Sequence, residues 1–402
     1  MFLTSERENM SQYERILRAC TKPTADSAIS AVVDLIPDAG FSMNRVMPPI
    51  YIDGDKKKMH HIEHRADENG KPVKIVILDS IQSTANRAEL AALFAMQTND
   101  LRMADITFKV KALNNRDISI LQLSHRIFDA TLRDTEIEGK TFVESDIGKK
   151  IYGSDLLVAM REVCRWSPAS ILLGGWCSHV NNTRAFKFPR LFQSEVIAGL
   201  VSETERTSSK VDPLQIEDVV DIYCKNGEFG KPWSLKEDDL VSSNNGKSKK
   251  DKGKVEKKKA SEIGHGPIPP SKVSGGVSVS WIQDRFNLSL HRTFRYNTGT
   301  PKEDQCVRAY LICLGLYMFL LKSQTYDLRS GCGLRRKSPD TVFNYETYET
   351  LDPFRLNLEE AKELYEESLK SLPKDFIHKT PLVVETTAKL EELIRMSGIF
   401  TE

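Results

Sequence analysis

The stretch that decides the fold is residues 73–97, VKIVILDSIQSTANRAELAALFAMQ. Its first part, residues 73–79, is almost entirely apolar and rich in β-branched residues, which predicts a strand buried on both faces. The part that follows, residues 83–97, places Ala and Leu on one face of a helix, with Ser83 or Thr84 as the N-cap. A buried strand that leads directly into a helix predicts a core containing both kinds of element.

The rest of the chain repeats this mixture without regular alternation. Helices are predicted in two pieces over residues 10–36, broken at 21–23 and with Asp26 or Ser27 as the second N-cap, and over residues 154–165, 303–323, 357–371 and 384–397. Strands or extended runs are predicted over residues 106–110, 118–123, 171–176, 191–200, 277–281 and 287–294. The strands come in short clusters, which is typical of an α+β fold.

The composition is that of a globular chain: 402 residues, 40% hydrophobic, 28% charged and 8% aromatic. Fully disordered and fibrous architectures are excluded by these values. The net charge of +1 is uneven, because eight lysines lie within residues 247–259 together with only Asp251 and Glu256. This run would hold a polyanion loosely. The net charge by itself argues neither for nor against a nucleic-acid partner.

Cysteine usage and apolar runs predict a cytoplasmic protein. The seven cysteines are odd in number and form no C-x-x-C pair, so we expect reduced thiols and no metal centre. The first residues carry no apolar run of signal-peptide length. The longest apolar run, residues 309–321, has 13 residues, fewer than the roughly 18 that span a bilayer, which predicts a buried helix and no membrane partner.

Composition shifts divide the chain into five regions. The predicted regions are N-terminal helices with an irregular element over residues 1–72, the first part of the core over 73–224, a flexible Lys-rich insertion over 225–275, the second part of the core with the buried helix over 276–345, and a helical C-terminal region over 346–402.

The first candidate site follows the strand at 73–79. Helix N-termini expose free N–H groups and bind phosphate, and polar side chains cluster there: Ser80, Gln82, Ser83, Asn86 and Arg87. The alternative is a polar helix cap in which Arg87 pairs with Glu89 or another acid.

The second candidate is residues 124–134, SHRIFDATLRD. If they are helical, His125 and Asp129 share a face, as in acyltransferases whose H-x-x-x-D motif orients a general base. A structural hydrogen bond is the other interpretation. Arg126 is adjacent and adds a fixed positive charge.

The third candidate combines glycines with alternating basic and aromatic residues. Gly174 and Gly175 allow close approach of the backbone to a ligand. Residues 184–190, RAFKFPR, then alternate cations with phenylalanines, a pattern suited to single-stranded nucleic acid; the cations are Arg184, Lys187 and Arg190. The alternative is a strand with phenylalanines inward and cations in water.

Further basic residues lie near the C-terminal third. Arg292 and Arg295 follow a predicted strand, and Arg329 opens a glycine-bearing loop, RSGCGLRRK, whose backbone N–H groups suit an anion. The histidines His60, His61 and His64 have no carboxylate or cysteine pattern beside them, which indicates solvated side chains in a mobile segment.

Taken in order, four segments resemble one family. LDSIQSTANRAEL, SHRIFDATLRD, PASILLGGWCS with RAFKFPRLFQSEVIAG, and RSGCGL are similar to the signatures of type I-G (formerly I-U) CRISPR-associated RAMP backbone subunits, a Cas-seven-type, Csb-one-like family. The likeness spans about residues 75–335. One departure is that Ser124 and His125 are adjacent here.

The resemblance implies a ferredoxin-like, RNA-recognition-type palm with inserted finger and thumb elements. It implies a subunit that is not an enzyme and needs no cofactor. Copies would line up along the CRISPR guide RNA, present it to the target DNA strand, and assemble with other subunits of the complex and a helicase-nuclease. The thirteen candidate residues would then contact RNA: Ser80, Gln82, Ser83, Asn86, Arg87, His125, Arg126, Arg184, Lys187, Arg190, Arg292, Arg295 and Arg329.

Two other functions remain open at this stage. Related RAMP proteins are ribonucleases that process guides or cleave targets, and His125 or Asp129 would have to supply their acid–base chemistry. An H-x-x-x-D acyltransferase would instead bind no RNA.

Overall fold

The computed structural model describes residues 10–38, 45–52, 58–67, 69–153, 155–180, 184–225, 233–241, 255–347, 351–374, 376–378 and 380–397. These residues form two compact units. The first consists of the described residues within 1–201 and 279–402, and the second of those within 202–278.

Helices and strands are mixed along the described chain, which confirms the α+β class. The helices are α1 Gln12–Ala19, α2 Ile81–Gln97, α3 Ala130–Arg133, α4 Asp146–Tyr152, α5 Leu156–Trp166, α6 Pro168–Leu172, α7 Glu237–Val241, α8 Leu290–Thr293, α9 Pro301–Lys322, α10 Leu358–Lys370 and α11 Ala388–Met396.

The strands are mostly antiparallel. They are β1 Ala28–Pro37, β2 Arg45–Val46, β3 Ile50–Ile52, β4 Lys58–His60, β5 Ile62–Ala66, β6 Pro72–Asp79, β7 Ile106–Val110, β8 Arg116–Ser119, β9 Thr135–Ile137, β10 Lys140–Thr141, β11 Gly175–Val180, β12 Arg184–Phe188, β13 Phe192–Lys210, β14 Ile222–Lys225, β15 Trp233–Ser234, β16 Val255–Lys258, β17 Ile268–Ser289, β18 Tyr326–Asp327, β19 Gly333–Arg336, β20 Val342–Glu346, β21 Leu351–Arg355 and β22 Leu382–Thr386.

The main sheet of the first unit has the order β18-β19-β1-β17-β13-β6-β5. The prediction of a second N-terminal helix was wrong, because residues 28–37 form the strand β1 inside this sheet. β1 pairs antiparallel with β17, Ala28 opposite Ser289, and on its other edge with β19 and β20. Ser27 is not a helix cap: its N–H donates to the Glu346 carbonyl at 2.8 Å.

The strand and helix over residues 73–97 are confirmed as β6 and α2. The last five residues of β6 are all buried, and β13 pairs with it on one side, Gly199 opposite Ile75. The segment predicted to be irregular, 37–72, contains β5 on the other side, with Ile62 opposite Val76. The N-cap of α2 is Ser80, and not Ser83 or Thr84 as predicted.

The helix α9 is the core element, as its apolar sequence predicts. Thr300 and Glu303 form a capping box at its start, and Phe319 stacks on Phe286 of β17 with ring centroids 4.1 Å apart. By length and composition α9 is apolar enough to cross a membrane, but 89% of its most apolar window is buried inside the fold, as in a core helix.

Three further predictions of local structure were wrong. Residues 171–176 end the helix α6 and begin β11 instead of forming one strand, and residues 287–294 close β17 and form α8. The C-terminal region contains a strand that was not predicted, β22, which lies parallel to β7 with Leu382 opposite Ile106. This pairing belongs to a second sheet, in the order β10-β9-β22-β7-β8.

The second unit has a small three-stranded sheet of its own, in the order β15-β14-β16. Its buried cluster consists of Ile222, Cys224 and Ala260. Most of the lysine run at 247–259 lies outside the described residues; its last residues belong to β16 and the turn that follows.

Candidate nucleic-acid interface

The junction of β6 and α2 is built around a helix cap. Ser80 has extended backbone angles, and its Oγ accepts a hydrogen bond from the Ser83 N–H at 3.3 Å. Gln82 and Asn86 lie exposed on the first turns of α2, while Ser83 is half-buried. The cap therefore uses Ser80 itself, and leaves the two amides facing solvent at the positive end of the helix dipole.

Arg87 is tied into the protein by all three of its guanidinium nitrogens. Nε donates to Asp79 Oδ2 at 2.7 Å, and the two Nη atoms donate to the carbonyls of Asp327 and Leu328 at 3.1 and 2.6 Å. The structure therefore agrees with the alternative in which Arg87 pairs with an acid, and that acid is Asp79 and not Glu89.

Arg329 reaches the same carboxylate from the C-terminal loop. Its Nη1 donates to the Leu78 carbonyl at 2.6 Å, and its Nη2 lies 3.8 Å from Asp79 Oδ1. The side chain of Asp79 is fully buried between the two arginines. The first candidate segment and the RSGCGLRRK loop are therefore neighbours, although about 240 residues separate Arg87 from the carbonyls that it binds.

The second candidate segment does not form the predicted helix. Arg126 has a positive φ of 51°, and His125 precedes it in a 3₁₀ turn, so His125 and Asp129 do not share a helical face. The Asp129 carboxylate accepts from the backbone N–H groups of His125 and Thr131, at 3.1 and 2.9 Å, and caps α3. The imidazole of His125 is exposed and has no hydrogen-bond partner among the described residues.

Arg126 is held by a buried acid and a glycine carbonyl. Its Nε donates to Glu89 Oε1, and its Nη1 donates to the Gly174 carbonyl at 2.9 Å. Gly174 has a φ of 88°, and an added Cβ would lie 3.1 Å from the Cβ of Arg190. A glycine is needed here both for the backbone conformation and for the close approach of Arg190.

Arg190 is a candidate cation without a counter-ion among the described residues. It is half-buried, and its guanidinium has no hydrogen-bond or ion-pair partner in the part of the chain that the structure describes. Burial lowers the pKa of Arg190, and the nearby charges of Arg126 and Arg292 lower it further. Arg292 donates from Nη1 to the Arg190 carbonyl at 2.9 Å, so these three arginines form one cluster, which we call the arginine cluster.

The remaining candidate cations are not members of the arginine cluster. Lys187 is exposed on β12, opposite the exposed Trp176 of β11, while Phe188 is buried and stacks on Phe128 at 5.8 Å. This matches the interpretation of a strand with phenylalanine inward. Arg295 is exposed after α8. The side chain of Arg184 lies outside the described residues, although its backbone belongs to β12.

A family comparison adds to this geometry. Residues 29–203 match the model of the family described as CRISPR-associated protein GSU0053. The match indicates a CRISPR-associated protein family, in agreement with the CRISPR association that the four resembling segments implied. It covers less than half of the chain. No curated protein matches the chain.

The region that matches the CRISPR-associated family includes most of the site. It begins in β1, contains α2, Arg126, Gly174 and Arg190, and ends in β13. Arg292, Arg295 and Arg329 lie beyond it, and the structure brings Arg292 and Arg329 back to the matched region through the contacts described above.

Sequence reasoning missed a buried polar cluster that resembles an active site. Lys322 Nζ lies 2.5 Å from Asp284 Oδ2 and 3.0 Å from Ser194 Oγ, and Tyr326 donates to the same carboxylate at 2.9 Å. All four residues are at most 4% exposed, so the cluster is closed to solvent. Its role is to hold β13, β17 and α9 together. In the sequence, the single lysine Lys322 at the end of the apolar helix α9 was the feature that could have indicated this cluster.

The histidines at 60–64 show no metal centre. His60 is buried, with Nδ1 3.2 Å from the Pro49 carbonyl, which corrects the prediction of a solvated side chain, and His61 pairs with Glu63. Among the described residues no group of three His, Cys, Asp or Glu side chains is placed to hold a metal ion.

Proposed function

We propose that this chain is a guide-RNA-binding backbone subunit of a type I CRISPR surveillance complex, of the I-G type. In this role several copies line up in the cytoplasm along the guide RNA, hold its sugar-phosphate backbone, and leave the bases free to pair with the target DNA strand. Other subunits and a separate helicase-nuclease complete the complex, and this chain itself cuts no nucleic acid.

The arginine cluster is the observation that carries the proposal. A half-buried guanidinium beside two like charges is electrostatically unfavourable, and an anion bound there would relieve the repulsion. Arg126 already makes an ion pair with Glu89, which leaves Arg190 and Arg292 as the guanidinium groups available to a phosphate. Arginine is well suited to this contact because its planar fork binds phosphate through two N–H groups.

Arg87 and Arg329 have a different part in this proposal. Their guanidinium groups bind Asp79 and backbone carbonyls, so they position α2 and the C-terminal loop. The exposed amides of Gln82 and Asn86 would then meet the RNA in their place.

The test replaces Arg190 by Gln in the chain coexpressed with its CRISPR array and partner subunits. Because the charge of Arg190 is repelled in the free protein, Arg190→Gln should not lower its stability. It should weaken guide-RNA binding by about tenfold, as expected for a charge-assisted hydrogen bond, and lower the slope of log K against log salt by about 0.7. Affinity is measured by filter binding at several salt concentrations.

Arg116→Gln is the matched control, since Arg116 is an exposed cation on β8 without an ion-pair partner in the described chain. Wild-type affinity for Arg190→Gln, or an equal loss for both variants, would contradict the assignment. Specific cleavage of the bound RNA that His125→Ala abolishes would instead support a ribonuclease.

A further inference from the structure

A cavity in the first unit lies beside α10 and has a volume of about 1040 Å³. Its walls are residues that follow α2, the C-terminal half of α10, and residues 372–374 and 376–378. Small-molecule sites typically have volumes of about 300–1,000 Å³. We call this cavity the α10 groove, and its size favours a segment of a macromolecule over a metabolite.

The wall formed by residues 376–378 packs against Arg165 and Trp166 of α5. The rings of Trp166 and His378 stack with centroids 3.6 Å apart and an angle of 8° between their planes. Arg165 donates from Nε to the Phe376 carbonyl at 3.1 Å and pairs with Glu162 at 3.0 Å. The groove is therefore preformed, which reduces the entropy cost of binding.

Unpaired positive charge lines the mouth of the groove. Lys362 pairs with Asp100 at 3.0 Å. Three other lining cations, Arg102, Lys370 and Lys374, are exposed and have no ion-pair partner within the described residues. The remaining acid of the described lining is Glu366, so the groove carries an excess of positive charge that is complementary to an acidic partner.

The floor of the groove is apolar, with Leu369, Leu372 and Ile377 half-buried. Its aromatic residues, Tyr365 and Phe376, are only 1% and 3% exposed. Their faces are therefore not available for the stacking of bases on which single-stranded nucleic-acid sites rely. An apolar floor without stacking platforms favours a protein partner over a nucleic acid.

We propose that the α10 groove docks an acidic, amphipathic segment of a partner protein. Its apolar side chains would lie on Leu369, Leu372 and Ile377, and its carboxylates would pair with Lys370, Lys374 and Arg102. This is the mode in which an amphipathic segment lays its apolar face into a groove. None of these residues belongs to the arginine cluster, so the inference does not depend on RNA binding.

The probe is a fluorescein-labelled peptide of about fifteen residues with leucine at i, i+3, i+4 and i+7 and glutamate elsewhere. Its binding to the full chain is measured by fluorescence anisotropy. The double variant Lys370→Glu/Lys374→Glu should weaken binding at least tenfold. A peptide of the same composition in scrambled order should bind at least fivefold more weakly than the probe.

The control variant is Lys140→Glu/Lys389→Glu, which makes the same change of charge at two exposed lysines away from the groove. It should bind the probe within twofold of wild type. Equal losses in both double variants, or equal binding of the scrambled peptide, would overturn the proposal.

Copurified RNA, measured on the same variants, separates this inference from the proposed function. The groove variants should retain RNA while losing the peptide. If the wild-type chain does not bind the peptide and Lys370→Glu/Lys374→Glu loses RNA, the groove is a nucleic-acid site and the proposed protein partner is wrong.

Discussion

Arg87 and Arg126 show how a single residue's role depends on its counter-ion. Both stand in segments whose composition is typical of phosphate binding, and both are paired with an acid, Asp79 and Glu89 respectively. Arg190 has the same side chain but no acid beside it among the described residues. Residue type alone does not separate these three arginines, because the fold decides whether an acid lies beside each one: Asp79 is eight residues from Arg87, and Glu89 is 37 residues from Arg126.

The buried carboxyl group of Asp105 is expected to make the stability of the protein depend on pH. It is 2% exposed, and burial raises its pKa to about 6, against hydrogen bonds from Ser119 and the Ile106 N–H that lower it. The folded state therefore holds this proton more tightly than the unfolded state. The stability that protonation contributes is fully present below about pH 4 and is lost as the pH rises through 6.

Asp105→Asn removes this titration, so it should raise the free energy of unfolding relative to wild type by up to about 3 kcal/mol at pH 7, as a shift of two pKa units implies. The difference should shrink toward zero near pH 4. Urea unfolding of both proteins between pH 4 and 8 measures it. A difference that does not vary with pH would show that Asp105 titrates normally.

At the scale of elements, the strand β1 shows why local pattern was insufficient. AISAVVDLI contains small and apolar residues at spacings that also suit a helix, and the prediction of a helix followed from them. Its β-branched residues instead lie between β17 and the strands β19 and β20, which come from more than 240 residues later in the chain. Partners on both edges outweigh a weak local preference.

The buried ion pair of Lys322 with Asp284 is expected to stabilise the sheet that contains β1. Removing one partner of a buried ion pair leaves an uncompensated charge, so Lys322→Met should lower the free energy of unfolding by about 3–5 kcal/mol. Lys302→Met, at an exposed position of the same helix α9, should change it by less than about 0.5 kcal/mol. Denaturant unfolding followed by circular dichroism measures both variants.

A second substitution, Asp284→Asn in the Lys322→Met background, should recover part of the loss because it removes the buried charge. Additive losses in the double variant would contradict the coupling between the two residues.

At the scale of the whole molecule, the chain leaves the first unit at Val201 and returns at Val279. The strands of the first unit are already neighbours at this point, since Ser280 donates to the Gly199 carbonyl at 3.3 Å. The buried cluster of Ile75, Ile77 and Ile197 belongs entirely to the first unit. The second unit is therefore an insertion between two paired strands.

We expect the first unit to fold without the insertion. Replacing residues 202–278 by Asn-Gly, which favours a two-residue hairpin turn, should give a protein with one cooperative thermal transition and a Tm within about 5 °C of the corresponding transition in the full chain. Differential scanning calorimetry measures this. A shortened protein without a cooperative transition would show that the first unit depends on residues 202–278.

The sequence alone determined the elements whose pattern is strong and local. The apolar run of β6, the alanine face of α2 and the uninterrupted apolar surface of α9 each favour one structure within a single window, and the structure confirms them. The motifs around α2 and Arg190 likewise predicted a CRISPR-associated family, which the match over residues 29–203 supports.

Only the tertiary structure decided which candidate cations are free. Arg87 and Arg329 meet at Asp79, and Arg126, Arg190 and Arg292 meet near Gly174. Apart from the Arg87–Asp79 pair, which spans eight residues, the side-chain hydrogen bonds of these arginines join residues from 37 to more than 200 positions apart. Ion pairing depends on distances of a few ångströms and on burial, and both are set by how the sheet and α9 bring separate segments together. The spacing of residues along the chain contains no such distances, so the sequence could nominate the arginines but could not distinguish the paired ones from Arg190.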